Sequence, residues 1–330
     1  MLDRLYLAVD LGGTRVRAAL GNEHGQILRR QEVRTERDYA GAARGHWPEG
    51  SEGEHIARQV GDLIEQVAGY RLAEARAIGV AAPGPLDART GILYHPVNLT
   101  KDDLPLKDLL EERFGKPVAV HNDANAAALG EWRYGGHGPT EHLWYLTVST
   151  GVGSGIISHG RLIDGFNTTA GEIGHTVIDL NGPECACGNR GCVEAICSGT
   201  AIARAARAAL QTGQPSSMLQ LAGQVDRVTA ETVVQAARQG DELAQSIFFH
   251  AADTLGAAVV NAIHMISPEI VVIGGGVTNA GELLYGPVRE RVRTKTMALC
   301  GQGVRIMAPR LGEDSGLAGA IVLAMRQSEA

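Results

Sequence analysis

A set of metal-binding side chains stands out between His175 and Cys192. Nine residues separate His175 from Cys185, and Cys187 and Cys192 complete a group of one histidine and three cysteines. Histidine and cysteine are ligands that zinc prefers, and four protein ligands fill its tetrahedral coordination shell. The spacing therefore predicts a structural zinc site that has no open position for a reactive water. The alternative, three free cysteines near a histidine by chance, is disfavoured by their crowding.

Three glycine-rich turns follow predicted strands and have a composition that suits phosphate binding. Glycine lets backbone N–H groups approach an anion closely, and a neighbouring hydroxyl group supplies a further donor. Strand connections also need glycine for purely conformational reasons, so each turn alone leaves a structural role open. The G-x-x-x-x-G-K-S/T loop and the G-x-G-x-x-G fingerprint are absent, so a nucleotide would be bound in another way. The turns are Gly12-Gly13-Thr14, Thr150-Gly151-Val152-Gly153 and Gly274-Gly275-Gly276.

Strands alternate with helices in both halves of the chain, which indicates an α/β fold. A strand pair around a glycine turn opens the chain and recurs later, so the architecture is expected to be duplicated. Ser51 and Glu54 have capping-box spacing at the first helix, and residues 37–50 are predicted to form a loop. Gly316 and Gly319 are spaced to let another element approach the last helix closely. The predicted strands cover residues 5–9, 16–20, 27–33, 77–85, 118–120, 143–148, 155–158 and 270–277, and the predicted helices cover 51–67, 105–115, 122–132, 198–210, 229–238, 241–265 and 315–325.

The composition predicts a soluble globular protein that acts on small ligands. The 330 residues are enough for about two domains. A net charge of -7 and a pI of 5.9, with no concentration of Lys and Arg, argue against nucleic acid as a partner. No secretory signal or apolar run of about 18 residues is recognised, so no membrane partner is expected. The odd number of cysteines, 5, argues against a disulfide framework and for a reducing, cytoplasmic location.

Seven motifs, in the same order over nearly the whole chain, resemble those of the ROK sugar kinases. The resemblance implies a two-lobed actin-like ATPase fold, of the ribonuclease H-like kind, with a cleft in which ATP and a hexose meet. It implies a small lobe of residues 1–119 plus 313–330, a large lobe of residues 120–312 that carries the zinc loop, and a homodimer. Arg15 stands where the family usually has lysine, which keeps the positive charge. The motifs are AVDLGGTRVRAAL, AAPGPLD, HNDANAAALGEW, TVSTGVGSGII, AGEIGHT, CACGNRGCVE and VVIGGGV.

The resemblance also implies roles for individual residues. Asp123 is the expected general base, because a carboxylate accepts the proton of a sugar hydroxyl as that hydroxyl attacks phosphorus; helix capping is its alternative role. Asp10 is expected to help hold Mg²⁺ on the nucleotide, and stabilisation of its own turn is the alternative. The residues expected to bind the sugar are Gly84, Asn98, Asn122, Asp123, Glu172, His175 and Glu194. The residues expected to bind ATP with its magnesium are Asp10, Gly12, Gly13, Thr14, Arg15, Thr150, Gly151, Gly153, Gly274, Gly275 and Gly276.

The predicted zinc loop and the expected sugar site share one residue. If one ring nitrogen of His175 binds zinc, the other nitrogen can face the sugar, so the metal fixes the tautomer and the direction of a substrate ligand. Glu172 lies three residues before this histidine, and Glu194 lies two residues after Cys192. The loop is therefore expected to hold both carboxylates against the sugar, and the metal to serve chemistry carried out elsewhere.

The resemblance implies ATP-dependent phosphorylation of a hexose at its 6-hydroxyl group, with glucose as the first candidate. N-acetylmannosamine, N-acetylglucosamine and fructose are alternatives, because Thr100 stands where glucose-phosphorylating relatives often have tryptophan. The family's other branch consists of sugar-responsive transcriptional repressors, which carry a helix-turn-helix ahead of the first phosphate motif. That motif begins here at Asp10, which favours the enzyme. A noncatalytic sugar-binding scaffold is a third alternative, and its function would not require Asp123.

Overall fold

Two sheets of five strands each form the framework of the molecule. The computed structural model describes residues 3–36, 52–96 and 98–329. The predicted loop at residues 37–50 and Ser51 of the predicted capping box lie outside these residues. Both sheets begin with an antiparallel hairpin and continue with parallel strands, so the predicted duplication is confirmed.

The first part of the chain supplies the first sheet and a small three-stranded sheet beside it. Their strands are β1 (Leu5–Leu11), β2 (Arg15–Asn22), β3 (Ile27–Arg34), β4 (Ala75–Ala82), β5 (Leu86–Asp87), β6 (Ile92–Leu93), β7 (Leu104–Pro105) and β8 (Val118–Asn122). The first sheet has the order β3-β2-β1-β4-β8, and the small sheet has the order β5-β6-β7. Strand β1 is antiparallel to β2 and parallel to β4.

The second sheet repeats this plan in the second half of the chain. Its strands are β9 (Leu143–Val148), β10 (Val152–Ser158), β11 (Arg161–Leu162), β12 (Ile270–Gly274) and β13 (Arg305–Met307). The order is β11-β10-β9-β12-β13, with β9 antiparallel to β10 and parallel to β12. Strand β9 therefore occupies the place in its sheet that β1 occupies in the first.

Eleven α-helices are present among the described residues, and every predicted helix is confirmed. They are α1 (Glu52–Ala68), α2 (Leu106–Phe114), α3 (Asp123–Tyr134), α4 (Val193–Cys197), α5 (Gly199–Gln211), α6 (Met218–Ala222), α7 (Ala230–Arg238), α8 (Glu242–Ile266), α9 (Glu282–Lys295), α10 (Ala298–Gly301) and α11 (Ser315–Glu329). Helix α9 was not predicted, because Pro287 in its interior interrupts the helical pattern. The strand predicted at residues 270–277 ends at Gly274, where positive φ at Gly275 turns the chain into a short 3₁₀ helix.

Helices α3 and α11 pack against each other between the two sheets. Helix α11 contacts β1 and β4 of the first sheet, and α3 contacts β9 and β10 of the second. Gly319 makes this packing close, because a side chain there would collide with the backbone of Ala126 in α3. The close approach predicted from the glycines of the last helix is confirmed.

The first sheet buries both of its faces, as its alternating side chains require. Leu7 and Val9 of β1 belong to the core that includes α1, whereas Tyr6 and Ala8 belong to the core that includes α11. Successive strand residues point to opposite faces, so a strand buried on both sides is apolar throughout. The polar end of β1, at Asp10, therefore lies at an edge of this packed framework rather than inside it.

Helix α8 corrects the expectation that the chain has no segment long and apolar enough to span a membrane. It is 25 residues long and, by length and composition, long and apolar enough to cross a membrane, although no such segment was expected. In the structure, 56% of its most apolar window is buried, and the helix packs against α7 and α9. Its apolar surface is thus used by the core of the second half.

Candidate functional site

A cavity of about 670 Å³, named here the first cavity, lies in the cleft between the two halves. Residues from both halves form its wall, including the glycine turns after β1 and β9. The seven residues predicted to contact one ligand all line it: Gly84, Asn98, Asn122, Asp123, Glu172, His175 and Glu194. The fold therefore brings together polar groups that lie up to 110 positions apart in the sequence, from 84 to 194.

Two further cavities adjoin the first. The second cavity, of about 480 Å³, shares Asp123 and Thr147 with the first and is also lined by Asp10 and Gly276. The third cavity, of about 600 Å³, shares Thr150 with the first and Gly276 with the second. The three cavities thus form one branched cleft, and Asp123 stands where the first two meet.

The start of α3 places Asp123 in this position. Oδ1 of Asn122 accepts hydrogen bonds from the backbone N–H groups of Ala124 at 2.9 Å and Asn125 at 3.3 Å, so Asn122 is the N-cap. Asp123 is the first residue of the helix, and its Oδ1 accepts a bond from the N–H of Ala124 at 2.7 Å. The alternative role for Asp123, helix capping, is thereby assigned to its neighbour.

The surroundings of Asp123 raise the pKa of its carboxyl group to about 6. Solvent in the cleft reaches the side chain, but the walls of the cleft limit its hydration, and this desolvation is the main cause. The negative charges of Asp10 and, to a smaller extent, Glu172 add to the rise. A carboxylate with this pKa is unprotonated at neutral pH and is a better proton acceptor than an ordinary aspartate.

His121 holds the backbone just before Asp123. Its Nδ1 accepts a hydrogen bond from the N–H of Asn122 at 2.8 Å, which places the ring proton on Nε2. Nε2 then donates to Oδ1 of Asp164 at 2.8 Å. The sequence did not predict this role, although His121 lies within a quoted motif and directly precedes Asn122.

Asp10 and Arg17 face the second cavity together. They lie opposite each other in the antiparallel register of β1 and β2, and Arg17 donates a hydrogen bond to Oδ2 of Asp10. Close packing keeps Asp10 in place, since a side chain at Gly316 of α11 would reach within 2.8 Å of its carboxylate. Magnesium in nucleotide sites is held by one or two carboxylates together with phosphate oxygens, and Asp10 fits that need. Arg17 was not predicted.

The glycine turns form much of the cleft wall. Gly12, Gly13, Thr150, Gly151 and Gly153 line the first cavity, and Gly275 and Gly276 line the second. Lack of space explains why two of these positions are glycine. At Gly13 an added Cβ would lie 2.9 Å from Cβ of Asn98, and at Gly151 it would lie 2.5 Å from Oε2 of Glu194. The turns thus bring backbone next to predicted ligand-binding side chains.

Three residues predicted to bind ATP have other contacts. Arg15 is exposed and pairs with Oε1 of Glu32 at 2.9 Å, and the carbonyl of Thr14 accepts a bond from Thr35. Gly274 is buried in β12, and a side chain there would meet the hydroxyl group of Tyr145. The structure places Thr14 in the turn after β1, Arg15 in β2 and Gly274 in β12, and none of them lines the three cavities described above.

The predicted metal ligands converge as a tetrahedral site requires. Ligand atoms of His175, Cys185, Cys187 and Cys192 all lie within 4.8 Å of one another. The distance from Sγ of Cys185 to Nδ1 of His175 is 3.7 Å, and that between Sγ of Cys187 and Sγ of Cys192 is also 3.7 Å. Zinc–sulfur bonds of about 2.3 Å give ligand separations of about 3.8 Å in a tetrahedron. The donor set and its spacing therefore fit Zn²⁺.

The metal-binding loop is connected directly to the first cavity. Nδ1 of His175 faces the cysteines, while the same residue lines the cavity. Glu194, in the short helix after Cys192, accepts a hydrogen bond from the N–H of Val152 at 2.9 Å. Desolvation is the main cause of a raised pKa of Glu172, and the charge of Glu194 contributes. The loop thus joins the glycine turn after β9 to the wall of the cavity.

Known proteins resemble this chain over nearly its full length. The ROK family model matches residues 6–327. The chain is 38% identical to a glucokinase of Thermotoga maritima over 315 residues, which are 95% of each chain. It is 34% identical to an N-acetylmannosamine kinase of Escherichia coli, over 96% of this chain and 97% of the relative. The crystal structure of a ROK family glucokinase from Streptomyces griseus with glucose and AMPPNP matches with a TM-score of 0.79 at 32% identity, covering 98% of this chain and 99% of that chain.

Proposed function

We propose that this chain, which belongs to the ROK family and has its actin-like α/β fold, transfers the γ-phosphoryl group of ATP to the 6-hydroxyl group of glucose. The observation that carries the proposal is the position of Asp123 between two cavities. The first cavity offers hydroxyl-binding groups and suits a sugar, and the second contains Asp10 and glycine turns and suits phosphates. The glucokinases among the similar proteins support glucose as the acceptor.

The first cavity supplies partners for the hydroxyl groups of a hexose. Asn98 and Asn122 offer amide groups, and Glu172 and Glu194 offer carboxylates, so each hydroxyl that leaves water finds a new partner. Because Oδ1 of Asn122 caps α3, its amide nitrogen is the group left for the ligand.

Asp123 would carry out the proton transfer. A sugar hydroxyl is a weak nucleophile, and Asp123 accepts its proton as the oxygen attacks the γ-phosphorus. His121, itself held by Asp164, fixes the backbone of Asn122 and so the direction in which Asp123 points. Asp10 would hold Mg²⁺, which when bound neutralises charge on the phosphates. Closure of the two lobes around the ligands would exclude water.

The third cavity suits the base of the nucleotide. Ala203, Val234 and Val277 give it apolar walls that can cover a flat ring, and Arg207 also lines it. It reaches the phosphate region through Thr150 and Gly276. We place ATP across the third and second cavities, with its γ-phosphate next to Asp123.

The loop from His175 to Cys192 would hold a structural Zn²⁺. The metal would fix the ring of His175, so that Nε2 faces the sugar while Nδ1 binds zinc. Removing the metal with a strong chelator should raise the KM for glucose and lower the thermal midpoint together, because both depend on the loop geometry. The metal content is measured in the same sample, and unchanged activity in metal-free protein would contradict this role.

We further propose that the whole molecule is a two-lobed, cytoplasmic homodimer. We place the lobe boundaries at residues 1–119 plus 313–330 and at residues 120–312, because α11 packs on the first sheet. A homodimer and a cytoplasmic location are proposed from the family resemblance and from the absence of a disulfide framework among the described cysteines. Light scattering after gel filtration measures the oligomeric state directly.

A panel of sugars tests the proposed activity. ADP release is measured with glucose, N-acetylmannosamine, N-acetylglucosamine and fructose at equal concentrations, with ATP and Mg²⁺. We expect the highest kcat/KM with glucose. A higher value for another sugar would change the substrate but keep the kinase, whereas no turnover with any hexose would reject the kinase and leave the repressor or scaffold alternatives.

A further inference from the structure

Glu131, near the end of α3, is a fully buried carboxylate outside the three cavities. Its side chain is 0% exposed and accepts bonds from both side chains and backbone. Oε2 accepts from Nε2 of His137 at 2.6 Å and from the N–H of Arg310 at 3.1 Å. Oε1 accepts from the N–H of Leu311 at 2.9 Å and from the hydroxyl of Ser315 at 2.8 Å. Charge-assisted bonds of this kind are strong, and their donors are costly to leave unpaired.

The segment that Glu131 holds forms one wall of the second cavity. Ala308 and Pro309 precede the two bonded N–H groups, and Gly312, Glu313 and Gly316 follow them; all five line that cavity. Ser315 does both, since it lines the cavity and donates to Glu131. No residue of this segment lines the first cavity. The bonds of Glu131 therefore act on the proposed phosphate region and leave the proposed sugar region alone.

We propose that Glu131 is a positioning residue for the phosphoryl donor. By tying residues 308–316 to α3, it fixes their distance from Asp123, which begins the same helix. Asp10 shares in this arrangement, because Gly316 packs against its carboxylate. The inference rests on the proposed function, since it takes the second cavity to be the site of the ATP phosphates.

Gly135 shows how closely this arrangement is built. Its φ of -69° is open to any residue, so backbone conformation does not require glycine there. An added Cβ would lie 2.5 Å from Oε2 of Glu131 and 2.7 Å from Nε2 of His137. The same Cβ would also lie 2.5 Å from the backbone carbonyl oxygen of Glu131. Lack of space at the end of α3 and around the buried pair therefore explains the glycine, and Gly135→Ala crowds the pair while keeping both of its side chains.

Steady-state kinetics of Glu131→Gln and Gly135→Ala in the full-length protein test the inference. We expect the KM for ATP to rise about tenfold, the factor for losing roughly one charged hydrogen bond, with the KM for glucose changed less than about twofold. Asp62→Asn is the matched control, because it removes another buried acid, bonded to Arg113 at 2.6 Å in the first lobe. The control should lower the thermal midpoint without separating the two KM values.

Direct binding of AMPPNP by calorimetry gives a second readout that does not depend on turnover. A weaker affinity in both variants, with glucose affinity unchanged, supports the positioning role. Equal effects on both ligands, or effects no larger than those of Asp62→Asn, would show a merely structural role and overturn the inference. If Glu131→Gln does not fold, the AMPPNP and glucose affinities of Gly135→Ala alone test the inference. Absence of hexose turnover in the unmodified protein would instead reject the proposed function, and the calorimetric comparison would still test the position of the nucleotide.

Discussion

Helix α3 carries an acid at each end, and the two acids have opposite properties. Asp123 at the start is exposed to the cleft, and its pKa is raised to about 6. Glu131 near the end is fully buried, and its pKa is lowered, because bonds from His137, Leu311, Arg310 and Ser315 outweigh the desolvation. Solvent exposure alone would predict the opposite order of these two pKa shifts. Desolvation and two negative neighbours raise the pKa of Asp123, whereas hydrogen bonds from four donor residues lower the pKa of Glu131.

This contrast separates a group built to exchange a proton from a group built to keep its charge. Asp123 has one close backbone donor, Ala124, and two negative neighbours, Asp10 and Glu172, so its charged form is poorly stabilised. Glu131 has its acceptor positions filled, so it holds elements together at all pH values near neutrality. One helix thus connects the proposed base to the wall of the proposed phosphate site.

The largest effect is expected from Asp123→Asn. Removing a general base should lower kcat by a factor of about 10² to 10⁴, because the sugar hydroxyl then has no proton acceptor. Calorimetry should show glucose and AMPPNP still binding, since the amide keeps the size of the side chain. Glu32→Gln, a surface acid, is the control and should leave kcat near that of the unmodified protein. Full activity in Asp123→Asn would support the scaffold alternative.

The two acids should differ in the sign of their effect on stability. Because the pKa of Asp123 is raised in the folded state, its charged form opposes folding above pH 6, and Asp123→Asn should raise the thermal midpoint at neutral pH. Glu131→Gln should lower stability by about 1–3 kcal/mol, because it places an amide N–H₂ against donors that need an acceptor. Calorimetric melting at neutral pH compares the thermal midpoints of both variants with that of the unmodified protein. Changes of the same sign in the two thermal midpoints would contradict the difference proposed between the two acids.

The pH dependence of catalysis should report Asp123 and not Glu131. Its pKa of about 6 means that kcat/KM for glucose falls as the pH drops below that value, by about tenfold per unit once the base is protonated. The lowered pKa of Glu131 keeps it charged over this range, so the stability that it contributes is lost only below its ordinary value of 4.5. Melting curves over the same pH range confirm that the enzyme stays folded while activity falls. A flat profile down to pH 5 would contradict the assignment, since that is about one unit below the expected pKa.

The smallest expected effect comes from Glu172→Gln. The charge of Glu172 is one of the causes of the raised pKa of Asp123, although desolvation and Asp10 contribute more. Its removal should move the acid limb of the kcat/KM profile to lower pH by a fraction of a unit. Since Glu172 also lines the first cavity, the profile rather than the absolute rate is compared. A shift to higher pH would show that neighbouring charge does not control the base.

The sequence predicted the chemically specialised parts of the site better than the supporting parts. His175 and the three cysteines, Asp123 and Asn122 lie in short motifs whose residue types indicate their chemistry. The structure groups the cysteines around His175 and brings His175, Asn122 and Asp123 to one cavity. Arg17 and His121 were not predicted, because their roles depend on partners that lie apart in the sequence. Arg17 contacts Asp10 on the neighbouring strand, and His121 contacts Asp164, 43 positions away. Arginine and histidine at such positions have no spacing pattern of their own.

The sequence by itself determined the alternation of strands and helices, their duplication, the candidate metal ligands and the acids of the cleft, because these follow from local periodicity and residue type. Only the tertiary structure decided which acid has a raised pKa and which has a lowered one. Asn122 rather than Asp123 caps α3, and residues 308–316 return from the far end of the chain to Glu131. Hydrogen-bond donors and neighbouring charges set a pKa, and they come from segments whose proximity no local pattern records.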